Sequence, residues 1–262
     1  MPDIDRGTHR IHWDETGSGS ALLLIMGAAY SSRLWYPAVP ALSARHRTLT
    51  FDNRGTGGST ATKVASISDM AGDARAVLDA AGVENAHVYG VSLGGVVAQQ
   101  LALESPERVR SLVLGCTGIL SRDKPRAPKA LRLLLHVPRR WLVSMTSYGP
   151  ACPPERAAAD KAVLLADVTD PVGLIAQQDA LRAYAVEPEQ VATLSMPTLV
   201  LHGTADKTVK PEWGAELAET LPHSRFITYE GAGHNFLVAA GDQPNADVLD
   251  FLADVDATAA PR

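Results

Sequence analysis

Three residue types that together can perform acyl transfer each follow a short apolar run, in three distant parts of the chain. Ser92 sits in Val88-Tyr89-Gly90-Val91-Ser92-Leu93-Gly94-Gly95, a Gly-x-Ser-x-Gly pattern. Asp206 closes His202-Gly203-Thr204-Ala205-Asp206, and His234 lies in Glu230-Gly231-Ala232-Gly233-His234-Asn235. A serine hydroxyl is a poor nucleophile at neutral pH. It needs a base within hydrogen-bond reach, and the base needs an orienting carboxylate. Ser92 is the candidate nucleophile, His234 the base and Asp206 the carboxylate, in the chain order Ser, Asp, His. Each has a plainer reading alone: an incidental serine in a glycine-rich turn, a turn aspartate, a histidine capping the next segment. Three placements agreeing with one geometry favour the joint reading.

The elements around these residues must then position them. Gly-x-Ser-x-Gly after an apolar run describes a strand that ends, turns sharply and becomes a helix, with the serine strained at the corner. Glycines two positions either side leave room for strand and helix to pack closely. Strands are expected at 10–13, 21–26, 47–51, 86–89, 109–115, 196–201 and 225–229. Helices are expected at 34–42, 67–81, 93–103, 212–221 and 245–252, with the tail from Asp256 frayed. Such alternation means a mostly parallel sheet covered on both faces. In such a sheet, groups for chemistry come from loops at the carboxyl ends of the strands. Asp206 and His234 both follow expected strands. The other histidines fit less well, and His202, at a strand end, reads as structural.

Tetrahedral chemistry also needs two N–H donors. Leu93, first in the helix after Ser92, supplies one. The other is expected from Met26-Gly27-Ala28-Ala29-Tyr30, after the 21–26 strand, with the Ala28 N–H as donor. Met26, Gly27 and Tyr30 are candidate pocket residues.

Between residues 121 and 188 the alternation stops. Prolines cut this stretch into short helical segments. It reads as a helical cap, leaving 1–120 and 189–262 as the core, and a cap is expected to set substrate choice more than chemistry. Its first part is basic, with Arg122, Lys124, Arg126, Lys129, Arg132, Arg139 and Arg140 against Asp123 alone. That segment either attracts an anionic substrate or membrane surface, or is a solvated helix face.

Composition narrows the rest. The chain has 262 residues, 46% hydrophobic, enough for one α/β domain with an insertion or for two small domains. A formal charge of −5 with no basic arm argues against nucleic-acid binding. The two cysteines, Cys116 and Cys152, cannot form a disulfide framework, and Cys116 reads as a small buried hydrophobe. No apolar stretch approaches the ~20 residues of a membrane span, so a soluble, cytoplasmic protein is expected. No metal or cofactor is expected, and the partner is a small-molecule substrate.

Taken in order, the glycine loop at Gly27, the Asp-x-Arg-Gly-x-Gly-x-Ser loop at 52–59, the corner at 90–94, the His-Gly-x-x-Asp run at 202–206 and the Gly-x-Gly-His run at 231–234 resemble the α/β-hydrolase superfamily of the lid-bearing type. The likeness covers nearly the whole chain. It implies an eight-stranded, mostly parallel sheet with a helical cap inserted between the strands of Val113 and Leu199, and hydrolysis through an acyl-enzyme. In that superfamily the 52–59 loop is structural, with Arg54 tying loops together through a carboxylate. The oxyanion loop there usually begins His-Gly. Met26-Gly27 departs from that, is similar to the antibiotic-pathway methylesterase branch, and makes the pocket more apolar. The leading expectation is a serine hydrolase of carboxylic esters or lactones. Carbon–carbon bond hydrolases and cofactor-free haloperoxidases share the triad, and some relatives act as ligand receptors. Haloalkane dehalogenases and epoxide hydrolases need a carboxylate where this chain has Ser92.

Overall fold

In a computed structural model the protein is described for residues 3–63, 65–125 and 147–259. Eight strands form one sheet: β1 Asp3–Asp5, β2 Arg10–Thr16, β3 Ala21–Ile25, β4 Arg47–Phe51, β5 Ala86–Val91, β6 Val109–Gly115, β7 Thr198–Gly203 and β8 Ser224–Tyr229. Their order is β1-β2-β4-β3-β5-β6-β7-β8. The β1/β2 and β2/β4 pairs are antiparallel, and β4, β3, β5, β6, β7 and β8 run parallel. This is the eight-stranded, mostly parallel sheet expected.

The central strands read as continuous apolar runs because both of their faces are covered. Along β3, Leu23 and Ile25 enter one core while Leu22 and Leu24 enter the other. The first core is closed by α2 (Ile67–Ala80), α3 (Leu93–Glu104) and α7 (Pro211–Thr220), through residues such as Met70, Val97 and Leu217. The second is closed by Trp35, by Leu42 of α1 (Val39–Leu42) and by α9 (Gln243–Ala259), through Val248, Phe251 and Leu252. Between β6 and β7 the described residues hold α4 (Pro154–Ala166), α5 (Pro171–Ala183) and α6 (Pro188–Val191).

Three local expectations differ. The helix expected at 34–42 is split into a 3₁₀ turn, Ser32–Trp35, and the short α1. Pro37 and Pro40 lack the N–H a continuous helix would need. Strand β1 was not foreseen, because Asp-Ile-Asp is mostly exposed and carries no apolar pattern. A short α8, Phe236–Ala239, follows His234.

Of the tail expected to fray from Asp256, residues 260–262 lie outside the described residues, and residues 256–259 are helical, since α9 runs to Ala259. Asp256 anchors it. Its carboxylate accepts from Ser20 Oγ at 2.6 Å, Arg110 Nη1 at 2.8 Å and His87 Nε2 at 2.9 Å. His87 itself is fully buried. Asp256→Ala would leave a buried ring nitrogen without its partner, at a cost of about 1–3 kcal/mol. Thermal unfolding should show a lower Tm, by about 2–4 °C for each kcal/mol in a chain of this size. An unchanged Tm would mean the anchor is dispensable.

Candidate active site

The site is built where β5 turns into α3. Ser92 stands at that corner with φ 54° and ψ −119°. It has no side-chain capping bond, so the hydroxyl is not spent on the helix. A Cβ on Gly90 would run into the Gly94 carbonyl, and one on Gly94 would run into the carbonyl oxygens of Ile25 and Met26. The backbone of the corner is held from β6: the Ser92 N–H donates to Gly115 O at 2.9 Å, and Thr117 Oγ1 donates to Ser92 O at 3.0 Å.

Among the described residues, the non-glycine residues with positive φ are Ala29 (72°), Ser92 (54°) and Cys116 (40°). They lie just beyond the carboxyl ends of β3, β5 and β6, which are neighbours in the sheet. Backbone strain gathers where a site must be held in one geometry, and all three cluster here.

The loop after β3 passes directly over the corner. A Cβ on Gly27 would sit 3.3 Å from Ser92 Cβ and 3.9 Å from Ser92 Oγ. Its start is fixed by Asn53 Nδ2, which donates to Met26 O at 2.9 Å. Asn53 belongs to the 52–59 loop, whose Arg54 binds Asp73 of α2 through Nη2 at 3.0 Å. The expected tie through a carboxylate is thus made to a helix. Among the described residues, neither the Ala28 N–H nor the Leu93 N–H donates a hydrogen bond.

Asp206 follows β7 and His234 follows β8. His234 Nδ1 and Asp206 Oδ2 are 2.7 Å apart. The other oxygen, Oδ1, accepts from the N–H groups of Thr208 at 2.8 Å and Val209 at 3.0 Å. With Nδ1 donating to the carboxylate, the neutral form of the ring carries its lone pair on Nε2. Burial alone would raise the Asp206 carboxyl. Hydrogen bonds from His202 and His234 outweigh it and hold its pKa well below the usual carboxylate range. For His234, burial disfavours the charged ring, but the Cys116 sulfur and the Asp206 carboxylate beside it overcome that and push its pKa up to about 10.

A cavity of about 640 Å³ is lined by Met26, Gly27, Ala28, Tyr30, Ser92, Leu93 and His234 among others. That volume suits a small molecule. Asp206 stands behind His234, with its side chain fully buried. Much of the remaining lining is apolar, including Leu34, Val96, Leu164 and Phe236.

Two residues of this site carry more than their sequence positions suggested. Cys116 is buried as expected, yet it lines the cavity and lies against the His234 ring. Its place at the carboxyl end of the strand beside β5 was the available signal. His202, read as structural, has Nε2 3.3 Å from Asp206 Oδ2 and 3.0 Å from Val209 O. It therefore supports the carboxylate that supports His234.

The β6–β7 connection also reaches the loop that carries His234. Gly233 N donates to Tyr148 O at 2.7 Å, and Asn235 N to Ser147 O at 2.9 Å. Asn235 Nδ2 reaches Asp160 of α4 at 2.8 Å, and the same buried carboxylate accepts from the hydroxyls of Tyr36 and Tyr148. The connection thus holds the histidine loop itself, a role beyond the substrate choice that the sequence mainly suggests. Of the basic run, Arg122 pairs with Glu187 and Lys124 with Glu216. Arg126, Lys129, Arg132, Arg139 and Arg140 lie outside the described residues.

The family model for the α/β hydrolase fold matches residues 20–149, and one for TAP-like proteins matches 176–259. A protein of Azorhizobium caulinodans named "Putative carbamate hydrolase RutD" is 31% identical over 98% of this chain and 100% of its own. The chain belongs to the α/β-hydrolase fold family. One of Mycobacterium tuberculosis named "Putative non-heme bromoperoxidase BpoC" is 30% identical to this α/β hydrolase over 94% of the chain and 98% of its own. The crystal structure of the enol-lactonase from Burkholderia xenovorans superposes with a TM-score of 0.86 at 25% identity, over 96% of this chain and 100% of that one. Among the described residues of this hydrolase, no helix is long and apolar enough to cross a membrane.

The electrostatics make a direct prediction. In an NMR pH titration, the His234 ring should remain protonated above pH 6.5, the ordinary value for histidine. Asp206→Asn removes the negative partner and should bring the midpoint down. A midpoint unmoved by Asp206→Asn would show that the carboxylate does not govern the ring.

Proposed function

We propose that this chain is a serine hydrolase that cleaves a carboxylic ester or lactone of an apolar small molecule through an acyl-enzyme. The observation that carries the reading is the 2.7 Å bond from His234 to Asp206, with His234 and Ser92 lining the same cavity. Ser92 Oγ attacks the carbonyl carbon, and its proton passes to His234 Nε2. The C–O bond to the leaving alcohol then breaks, and His234 returns that proton to the alcohol oxygen. Water, deprotonated by His234, attacks the acyl carbon and releases the acid and Ser92. Asp206 orients the ring and stabilises its charged form. The N–H groups of Ala28 and Leu93 face the developing oxyanion, which matters most in the transition state.

Residues 121–188 serve in this reading as the cap, over a core of 1–120 and 189–262. The lining by Met26, Leu34, Val96 and Leu164 supports an apolar acyl or ring-bearing substrate. The relatives named for carbamate hydrolysis support a second substrate class, because a carbamate presents the same electrophilic carbonyl to the same groups. A panel of esters, lactones and carbamates separates these. Turnover of none of them would defeat the hydrolase reading, and peracid-dependent halogenation alone would favour the chemistry named in the bromoperoxidase relative.

Ser92→Ala should lower kcat by about 10⁶-fold with the fold intact, as removal of such a nucleophile does. A fluorophosphonate should label Ser92 in the wild type and not in His234→Ala, since an unassisted serine reacts poorly. Peptide mapping that places the label on another serine would overturn the assignment. Because a base must be unprotonated and the folded pKa of His234 is raised, kcat/KM should climb with pH through a midpoint above 6.5. A plateau already reached at pH 6 would contradict that.

A further inference from the structure

We propose that Gln177, on α5, is a positioning residue for the oxyanion loop, fixing the turn that aims the Ala28 N–H. The proposal rests on the serine-hydrolase reading for its catalytic consequence, but its structural claim stands on the loop alone. Ala29 occupies the left-handed region at φ 72° while carrying a Cβ, a conformation that L side chains disfavour. Such a conformation persists only where its surroundings impose it.

The surroundings here are specific. The Ala29 N–H donates to Gln177 Oε1 at 2.9 Å, and Thr169 Oγ1 donates to the Ala29 carbonyl. The other end of the same amide, Gln177 Nε2, donates to the Arg54 carbonyl at 2.8 Å. The side chain is fully buried, so water cannot replace either bond. With one acceptor and one donor both engaged, the amide has a single workable orientation. Two residues further on, Ser31 N donates to Asp167 Oδ2 at 2.9 Å. Met26 O, at the start of the turn, is held by Asn53. The turn is therefore gripped at Met26, Ala29 and Ser31, and the N–H groups of Gly27 and Ala28 lie between the first two.

The grip has a firm base. Gly55 and Gly173 meet backbone to backbone, with no room for a Cβ on either. The Asp170 N–H donates to Gly55 O at 2.8 Å and the Gly57 N–H to Val168 O at 2.9 Å. Gln177 thus transmits the fixed position of α5 to the loop beside Ser92. Its side-chain hydrogen bonds go to Ala29 and Arg54 and it does not line the cavity, so its effect is indirect.

Gln177→Met keeps the shape and removes both hydrogen bonds. Gln177→Glu keeps the acceptor for the Ala29 N–H. A displaced oxyanion donor weakens the transition state more than the bound substrate. Per active site titrated with fluorophosphonate, Gln177→Met should lose about 10–100-fold in kcat on a p-nitrophenyl ester, with KM within about twofold, a loss below that of deleting a donor outright. Affinity for a boronic acid that forms a tetrahedral adduct with Ser92 should fall in step with kcat, and Gln177→Glu should recover part of both. Amide exchange read by NMR should show Ala29 protected in the wild type and exposed in Gln177→Met. A folded Gln177→Met with Ala29 still protected overturns the proposal whatever its activity. Lost protection with kcat and boronate affinity unchanged overturns its catalytic half. If Gln177→Met does not fold, Thr169→Val removes the bond to the Ala29 carbonyl from the other side and should give the same split of kcat from KM. A wild type that neither turns over esters nor takes the fluorophosphonate label defeats the hydrolase reading instead, and the exchange result still decides the structural claim.

Discussion

Between β5 and α3 there is no space for a side chain, and the candidate site depends on that. Gly90 meets the Gly94 carbonyl, and Gly94 meets the carbonyls of Ile25 and Met26. This contact brings the start of α3 hard against the ends of β5 and β3. The chain can turn within one residue, and that residue, Ser92, takes a positive φ and keeps its hydroxyl off the helix. The same contact sets the β3 loop close enough for Gly27 to lie over Ser92. A larger residue at Gly90 or Gly94 would push α3 away from the ends of β5 and β3 and so move Ser92 relative to the backbone beside it.

Around this fixed corner the other parts arrive on loops, and loops need restraint. The histidine loop is tied to Ser147, Tyr148 and Asp160, and the β3 loop to Asp167, Thr169 and Gln177. Both sets of partners come from the connection between β6 and β7. A segment that seems an accessory to the sheet thus carries the hydrogen bonds that hold two loops in register with the corner. Many of these bonds are buried, and a buried amide or carboxylate without a partner is costly, so the arrangement favours one geometry over its alternatives.

The charge arrangement follows the same logic. Asp206 is fully buried yet ionised, because two backbone N–H groups and two imidazoles surround it. Its negative charge then stabilises the protonated His234. His202 belongs to this set although it does not reach the cavity, and its packing against Gly214 on α7 connects the carboxylate to the helix that follows. Cys116 adds a polarisable sulfur beside the ring.

By itself the sequence determined the alternation of strands and helices, the corner at Ser92 and the strand-end positions of Asp206 and His234. These are local signals: apolar periodicity, glycines where a Cβ cannot fit, and polar residues just after apolar runs. β4 and β6 begin and end at the residues expected for them, 47–51 and 109–115. Other features were invisible because they depend on partners distant in the chain. Asp256 lies in a polar tail, and only the fold brings Ser20, His87 and Arg110 to its carboxylate. Gln177 is an ordinary helix residue until α5 docks against the 52–59 loop and turns its amide toward Ala29. Cys116 looks like the end of a hydrophobic strand until β6 pairs beside β5 and sets it next to His234. Local pattern specifies elements and their turns, because those energies arise between near neighbours. Which buried polar group meets which partner is settled only when the elements pack, because that packing removes the water that would otherwise satisfy each of them.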